Sequence, residues 1–557
     1  MSDKTKLGLR VLEAAVLLGV LGDALLRVAP WGLNTFLWTS AMVAGVYAVA
    51  RQKRAQLGRE WHFFAACAVL FASFFAWRDS FTLRFLDALV VVVMLALAAF
   101  SVSNARMRFA GLLQYGLGIL TAGFNAAFGL FPLLLNDIEW KSLPRTGWSR
   151  HVWAVMRGVV VAVPLLLVFG GLFMAADAVF NNLVERSFNI NADEMFSHFL
   201  LAAFLAWATG GLLRGAVLNE MSATEAASKY LSLKPTKVNS IVDTTNRAEE
   251  RDAKDKAARP AQALSLGIVE TSVVLGLVNL LFLAFVLVQL RYFFGGAGVV
   301  ETTANMSYAE YARRGFFELV TVTWLVLPLL LIAHWLLRKE NPVHERIFRF
   351  LAGIQLALLF VIIWSAVGRM RLYQSEYGLT ELRVYTTAFM GWLSLVFVWF
   401  AATALRGKRE QFAFGALVAG CLVIVALHAV NPDALIARTN AGRAAQNRGN
   451  NFDAHYAASL SADATPELFA ALPRLAARDR QVIADRLLAR ELETKNDWRT
   501  WNLSRARERR LMRRAEADLR ALALRASPGS SILLPLQVES SPNVADANAR
   551  RALSVNR

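Results

Sequence analysis

Two stretches of this 557-residue chain crowd charge and phenol groups between apolar runs. The first, "SYAEYARRGFFELV" (307–320), spaces Glu310, Tyr311, Arg313, Arg314 and Glu318 at helical intervals. Glu310 faces Arg313 or Arg314, and Arg314 reaches Glu318 at i+4, so the stretch reads as a self-paired interfacial helix. The second, "RMRLYQSEYGLTELRVYTTAFMGW" (369–392), carries Arg371, Tyr373, Glu376, Tyr377, Glu381 and Arg383, flanked by Arg369 and Tyr385. Segment 180–198 adds Glu185, Arg186, Asp193 and Glu194. Arginines and carboxylates in this pattern either bind an anionic headgroup or polar substrate, or clamp helix ends to one another. The tyrosines suit the aromatic belt of a membrane interface.

Signatures of catalysis are scarce. The chain has no Gly-Lys-Ser/Thr phosphate loop, no His-Glu-x-x-His and no Gly-x-Ser-x-Gly. Its seven histidines are scattered, with His334 and His344 ten apart and His428 alone on an apolar run, so no spacing suggests a metal site. Cys67 and Cys421 both sit in apolar stretches and read as small packing residues. No cofactor is expected, and a non-enzymatic role is favoured.

The elements that must position these residues are membrane helices. Hydrophobic residues make up 56% of the chain. Apolar stretches long enough to cross a hydrocarbon core of about 30 Å fall at roughly 11–28, 32–50, 61–77, 81–103, 109–135, 153–176, 198–218, 264–290, 316–337, 348–368, 385–405 and 412–430. The expected fold is therefore all-α, a polytopic bundle of eleven or twelve apolar segments with a helical C-terminal tail. The basic N-terminus precedes a run broken by Glu13 and Asp23, which predicts no cleavable leader.

Charge sets the orientation. Basic connections at 51–60, 219–262, 336–349 and 406–410 mark the cytoplasmic side, which also receives the N-terminus. With every segment crossing, 51–60 and 143–150 cannot both be cytoplasmic. A re-entrant or broken segment at 109–135, rich in glycine and with Asn125 at its centre, removes that conflict. The net charge of +18 is then carried by loops and tail rather than by a nucleic-acid surface, and no nucleic acid is expected as partner. Lipid is, either the bilayer itself or an anionic headgroup, and another envelope protein is the further candidate.

The domain reading follows: helices over 1–218, a flexible cytoplasmic loop at 219–262, helices again over 263–430, an extracytoplasmic helical tail at 431–525 and a disordered end at 526–557. In the tail, Leu468, Leu472, Leu475, Ile483, Leu487 and Leu488 recur at helical spacing, and Thr465-Pro466-Glu467 reads as a helix start. Glu13, Asp23, Asp87, Arg157 and Glu270 are the ionisable residues inside apolar runs. Most lie near a helix end, and Asp87 follows Arg84 by one turn, which predicts a local ion pair. The segments 310–340 and 376–410 share a layout, Glu-Tyr outside and a basic patch inside, as two repeated hairpins would.

Four motifs in order, "LVNLLFLAFVLVQLRYFFGG" (277–296), "YAEYARRGFFELV" (308–320), "MRLYQSEYGLTELRVY" (370–385) and "NPDALIARTN" (431–440), resemble a group of bacterial membrane proteins. These are the domain of unknown function 4153 and the related 4173, and the likeness covers roughly 150–460. The resemblance implies an integral inner-membrane protein and transfers no catalytic residue. Three functions fit: an envelope-assembly or sensory partner, a transporter or lipid-handling protein with a polar cavity near the external loops, and a membrane enzyme acting on lipid-linked substrates.

Overall fold

The computed structural model describes residues 2–52, 57–102, 107–140, 192–218, 267–304, 316–337, 342–446, 452–493 and 497–524, with four single positions between 141 and 191. Apart from three of those single positions, the candidate span 153–176 lies outside the described residues, as do Arg157, Glu185, Arg186, the loop 219–262 and the terminal 526–557.

Among the described residues the fold is all-α. In chain order the helices are α1 (Asp3–Leu26), α2 (Leu33–Gln52), α3 (Arg59–Phe74), α4 (Phe81–Ser101), α5 (Leu112–Phe128), α6 (Leu130–Asp137), α7 (Ala192–Val217), α8 (Ile268–Ala304), α9 (Phe316–Leu336), α10 (Pro342–Tyr377), α11 (Glu381–Thr403) and α12 (Phe412–Val430). The tail adds α13 (Pro432–Ala445), α14 (Ala454–Ser459), α15 (Thr465–Ala471), α16 (Ala477–Glu493) and α17 (Leu503–Leu524).

Seven of these helices are long and apolar enough to cross a membrane: α2, α4, α7, the first part of α8, α10, α11 and α12. They fit a multi-pass membrane protein. Their outward faces keep large apolar side chains exposed, as on α4, where Phe81, Phe85, Leu89 and Val92 are all more than half exposed. A lipid solvent explains such a surface. Of the other apolar runs in the sequence, α1 carries Glu13 and Asp23, while α3 (16 residues) and the apolar part of α9 (Glu318–His334) are shorter.

The two largest apolar cores of the bundle each join several helices. One joins α1 to α4 with α7 around Phe64, Met94, Leu97 and Leu213, and Cys67 and Cys421 pack against it. The other joins α8 to α12 around Leu275, Leu330, Leu359, Phe397 and Phe400. A third core belongs to the tail and contains Leu468, Leu472, Leu475, Ile483 and Leu487, five of the six residues whose spacing predicted amphipathic helices; Leu488 packs at its margin.

The run 109–135 is broken, with α5 and α6 bent by 54° at Gly129. There is no room for a side chain at that bend. A Cβ at Gly129 or Gly211 would meet the carbonyl oxygen of Asn125 at 2.5 or 2.1 Å. Both ends of the broken run sit at the same end of the bundle. Before α5, the Arg108 backbone N–H donates to Glu60 at the start of α3 (2.9 Å). At the end of α6, buried Asp137 pairs with Lys4 at the start of α1 (3.0 Å) and Arg214 near the end of α7 (2.7 Å).

Candidate functional site

The opposite end of the bundle is where polar residues gather, at the junction with the tail. The chain enters the tail through "NPD". Asn431 takes a left-handed conformation (φ 56°) and its side chain caps α13, with Pro432 in the first turn. Asparagine tolerates that conformation and proline suits a helix start, so α12 turns sharply into α13. Asp433 is thereby buried against the membrane helices.

Asp463 is the centre of the junction, with its side chain fully buried. Its carboxylate accepts from the backbone N–H of Asp79 (2.6 Å) and Ser80 (3.2 Å), from the Ser504 hydroxyl (2.6 Å) and from Arg78 (3.3 Å). The α3–α4 turn thus offers its free N–H groups to a carboxylate of the tail. Arg78 also donates twice to the carbonyl of His428 (3.0 and 2.8 Å), closing the end of α12. Charge-assisted bonds of this kind are roughly twice as strong as neutral ones.

The segment 497–505 completes the clasp. The Asn502 amide donates to the carbonyls of Phe75 (2.7 Å) and Arg78 (2.8 Å), and Leu503 N–H donates to that of Ala76 (2.8 Å). Leu33, first residue of α2, donates its N–H to the Trp501 carbonyl (3.0 Å). Arg505 reaches the carbonyls of Pro30, Trp31 and Thr500, and Arg499 that of Ala24. Helix ends that would otherwise leave N–H and C=O groups unpaired are here satisfied by the tail.

Asp433 lies beside this centre with weaker partners. It accepts from the Ser461 hydroxyl (2.5 Å) and N–H (3.2 Å), and from Ser80, whose hydroxyl also meets Tyr385 (3.1 Å). Burial pushes its carboxyl up to about 6, Ser461 opposes the shift, and the nearby carboxylates of Glu381 and Asp463 add to it. Burial also raises Asp79, against Arg84 and Arg505. Burial lowers Arg505, Asp79 counteracts, and the like charges of Arg84 and Arg509 add to the lowering.

Below the junction, Asp87 bonds His428 across α4 and α12 (3.1 Å), both side chains buried, with the imidazole 4.2 Å from the Phe74 ring centre. The local Arg84–Asp87 pair expected from spacing is therefore replaced. Helix side chains lean toward the N-terminus, so Arg84 reaches back to Asp79 (3.7 Å) and leaves Asp87 to α12. His428 is not alone on its span. Asp23 pairs with Arg27 (2.8 Å) and with His198 of α7.

The predicted polar cluster is only partly assembled. Glu310, Tyr311, Arg313 and Arg314 lie outside the described residues, and Glu318 is exposed at the start of α9. Arg371, Glu376 and Tyr377 are exposed in the last turns of α10. Arg383 stacks over Tyr373 (4.2 Å) and donates to the carbonyls of Tyr377 and Gly378, closing that helix. Glu381 starts α11 half-buried, its N–H donating to Tyr456 of the tail (2.9 Å). What holds this hairpin is α13: Asn440 bonds both N–H and C=O of Leu379 (2.8 Å each), and Arg443 donates to the carbonyls of Ser375 and Glu376.

Gly378 is tightly specified in that contact. Its φ is +75°, and a Cβ there would meet the Asn440 amide oxygen at 2.6 Å. The left-handed conformation alone costs other residues about 1–2 kcal/mol. Gly378→Ala is expected to lower the thermal unfolding midpoint more than Gly391→Ala, whose Cβ would meet nothing within 4 Å. Equal midpoints would refute the tight contact.

Sequence reading missed Arg78, Asp79, Ser80, Asp433, Ser461, Asp463 and Asn502, because polar residues in short turns look solvated. The helix start read at Thr465-Pro466-Glu467 is where α15 begins, with Thr465 as its first residue rather than its cap and its hydroxyl donating to Glu508 (2.7 Å). Among the described residues no group of three or more His, Cys, Asp or Glu is placed to hold a metal.

Fold and junction define a class: a multi-pass, all-α membrane protein whose helical tail is bonded onto the turns at one end of its bundle. The chain belongs to the family described as Domain of unknown function (DUF4153), which matches residues 65–471. No curated protein and no solved structure matches it. The matched region contains Arg78, Asp87, His428, Asp433 and Asp463, while their partners Asn502, Ser504 and Arg505 lie beyond it.

Proposed function

We propose that this protein is a non-enzymatic inner-membrane protein whose tail is an extracytoplasmic docking module for envelope assembly or sensing. The junction carries this reading. Buried bonds from Asp463, Asn502 and Arg505 hold the tail rigidly on the turns at one end of the bundle, and the basic connections 51–60 and 406–410 join helices at the other end. The positive-inside rule makes that second end cytoplasmic. On the same ground the run 109–135 re-enters rather than crosses, since both its ends meet the N-terminal end of α1 or α3. A transporter would need carboxylates facing an open route; Asp463 and Asp433 instead use their oxygens on protein donors.

Reporter fusions test the topology. A fusion after Gln446 is expected to report an extracytoplasmic location and one after Gln52 a cytoplasmic one. Cysteines placed at Gln114 and Glu139 should both react only from the cytoplasmic side. Cytoplasmic activity after Gln446 would overturn the tail's placement, and opposite-side labelling of Gln114 and Glu139 would overturn re-entry.

A further inference from the structure

Where the clasp meets the bundle, three indoles face outward. Trp31 is 44% exposed, Trp498 64% and Trp501 42%. Their height is fixed by backbone bonds. Trp501 is hydrogen-bonded to Leu33, the first residue of an apolar span, and Leu503 to the turn just before exposed Phe81. Exposed tryptophans beside the ends of apolar spans belong to the belt between hydrocarbon and headgroups.

Cations run from this level along α17. The like charges of Arg84 and Arg509 both act on Arg505, and Arg84, paired with Asp79 (3.7 Å), keeps a buried Nε donor with no hydrogen-bond partner. Arg509 and Arg513 follow Arg505 at i+4 and i+8, continuing the helix side that binds the bundle. Neither makes an ion pair among the described residues, and Arg513 is exposed. At 1.5 Å per residue, Arg509 lies roughly 9 Å along α17 from Leu503. The headgroup layer is roughly 5–8 Å deep on each side. Arg513 lies roughly 15 Å along, and because helix side chains lean toward the N-terminus both long stems point back toward that layer.

We propose that this junction is a phospholipid site, in which Trp31, Trp498 and Trp501 sit at the apolar boundary and Arg84, Arg509 and Arg513 bind the phosphates of anionic lipid. It deepens the docking-module reading and rests on the tail-bearing end of the bundle being a membrane edge. The reporter fusions ask which side that edge faces, and they can fail while lipid binding stands.

The test uses the full-length chain in neutral detergent and reads its unfolding temperature after addition of phosphatidylglycerol, phosphatidylcholine or inorganic phosphate. Phosphatidylglycerol is expected to raise the midpoint by several degrees, phosphatidylcholine not to, and added salt to erase the difference. Arg509→Glu with Arg513→Glu should lose most of the shift, and the paired lysine variant should keep it. Arg478→Glu with Arg486→Glu, the same charge change on exposed positions of α16, should also keep it. Equal shifts from the two lipids, or a full shift in the Arg509/Arg513 glutamate variant, overturn the proposal. So does inorganic phosphate that reproduces the whole shift, because the site would then take a free anion. If the glutamate variant does not fold, the paired glutamine variant and the salt titration of the unmodified chain decide, and a salt-insensitive shift refutes it.

Discussion

Asp463→Ala is expected to release the tail from the bundle. The substitution deprives two backbone N–H groups, the Ser504 hydroxyl and the Arg78 guanidinium of one shared acceptor. Breaking a buried ion pair on one side costs roughly 3–5 kcal/mol, because the remaining charge stays buried without its partner. Unpaired donors beside it add to that loss. Arg78 keeps its bonds to the His428 carbonyl, so the end of α12 should hold while the tail loosens. Hydrogen exchange should therefore accelerate in α13 to α17 and stay slow in α3, α4 and α12. Limited proteolysis should cut within 447–502 at protease levels that leave the unmodified chain intact. Asp463→Asn keeps one carbonyl oxygen for the Asp79 and Ser80 N–H groups and should fall between the two. A double-mutant cycle with Arg78→Ala isolates the pairwise part. Unchanged exchange and proteolysis in Asp463→Ala would show that apolar packing alone holds the tail.

How much of this was legible in the sequence depends on the distance over which each feature is encoded. The spans and the tail helices follow from local period, and Leu468, Leu472, Leu475, Ile483 and Leu487 fall into the tail core as their spacing requires. The break at Gly129 was also marked locally, by the glycines and Asn125 in an overlong apolar run. The junction was not. Asp463 and the N–H groups it binds are separated by more than 380 residues, and the Asp87–His428 pair by 341. No periodicity links such positions. One signal was available. Asp87 and His428 are ionisable groups on two separate apolar runs, and a charge in such a run favours a partner on another helix over solvent. The local rule of i to i+3 pairing overrode that signal, although the lean of helix side chains sends Arg84 the other way. The arginines of 307–320 and 369–392 drew notice by their density, whereas the turn "WRDS" holds the tail with less charge and more burial.

The second large effect is on pH. In the docked tail Asp433 has a carboxyl raised to about 6 from 3.8 by burial, with Glu381, Asp463, Tyr385, Tyr456, Ser80 and Ser461 around it and Arg78 and Arg383 on its neighbours Asp463 and Tyr456. A raised native value means that the folded state binds the proton more tightly than the unfolded one. Stability from this group is fully present below about pH 4 and is lost as pH rises through 6. The span between the two values corresponds to about 3 kcal/mol. Asp79, raised by burial, acts in the same direction. Glu467, held low by Arg438, acts in the opposite direction, with its loss on acidification falling below its ordinary value of 4.5. Asp433→Asn fixes the neutral state and isolates the effect. The variant should unfold at a higher temperature than the unmodified chain at pH 8, by the equivalent of up to about 3 kcal/mol, and the gap should close toward pH 4–5. On an extracytoplasmic face this makes acid tighten the junction, so a tail that docks a partner would be held most firmly under acid conditions. A gap between variant and unmodified chain that stays constant from pH 5 to 8 would mean that Asp433 does not titrate there and that its burial is relieved by solvent.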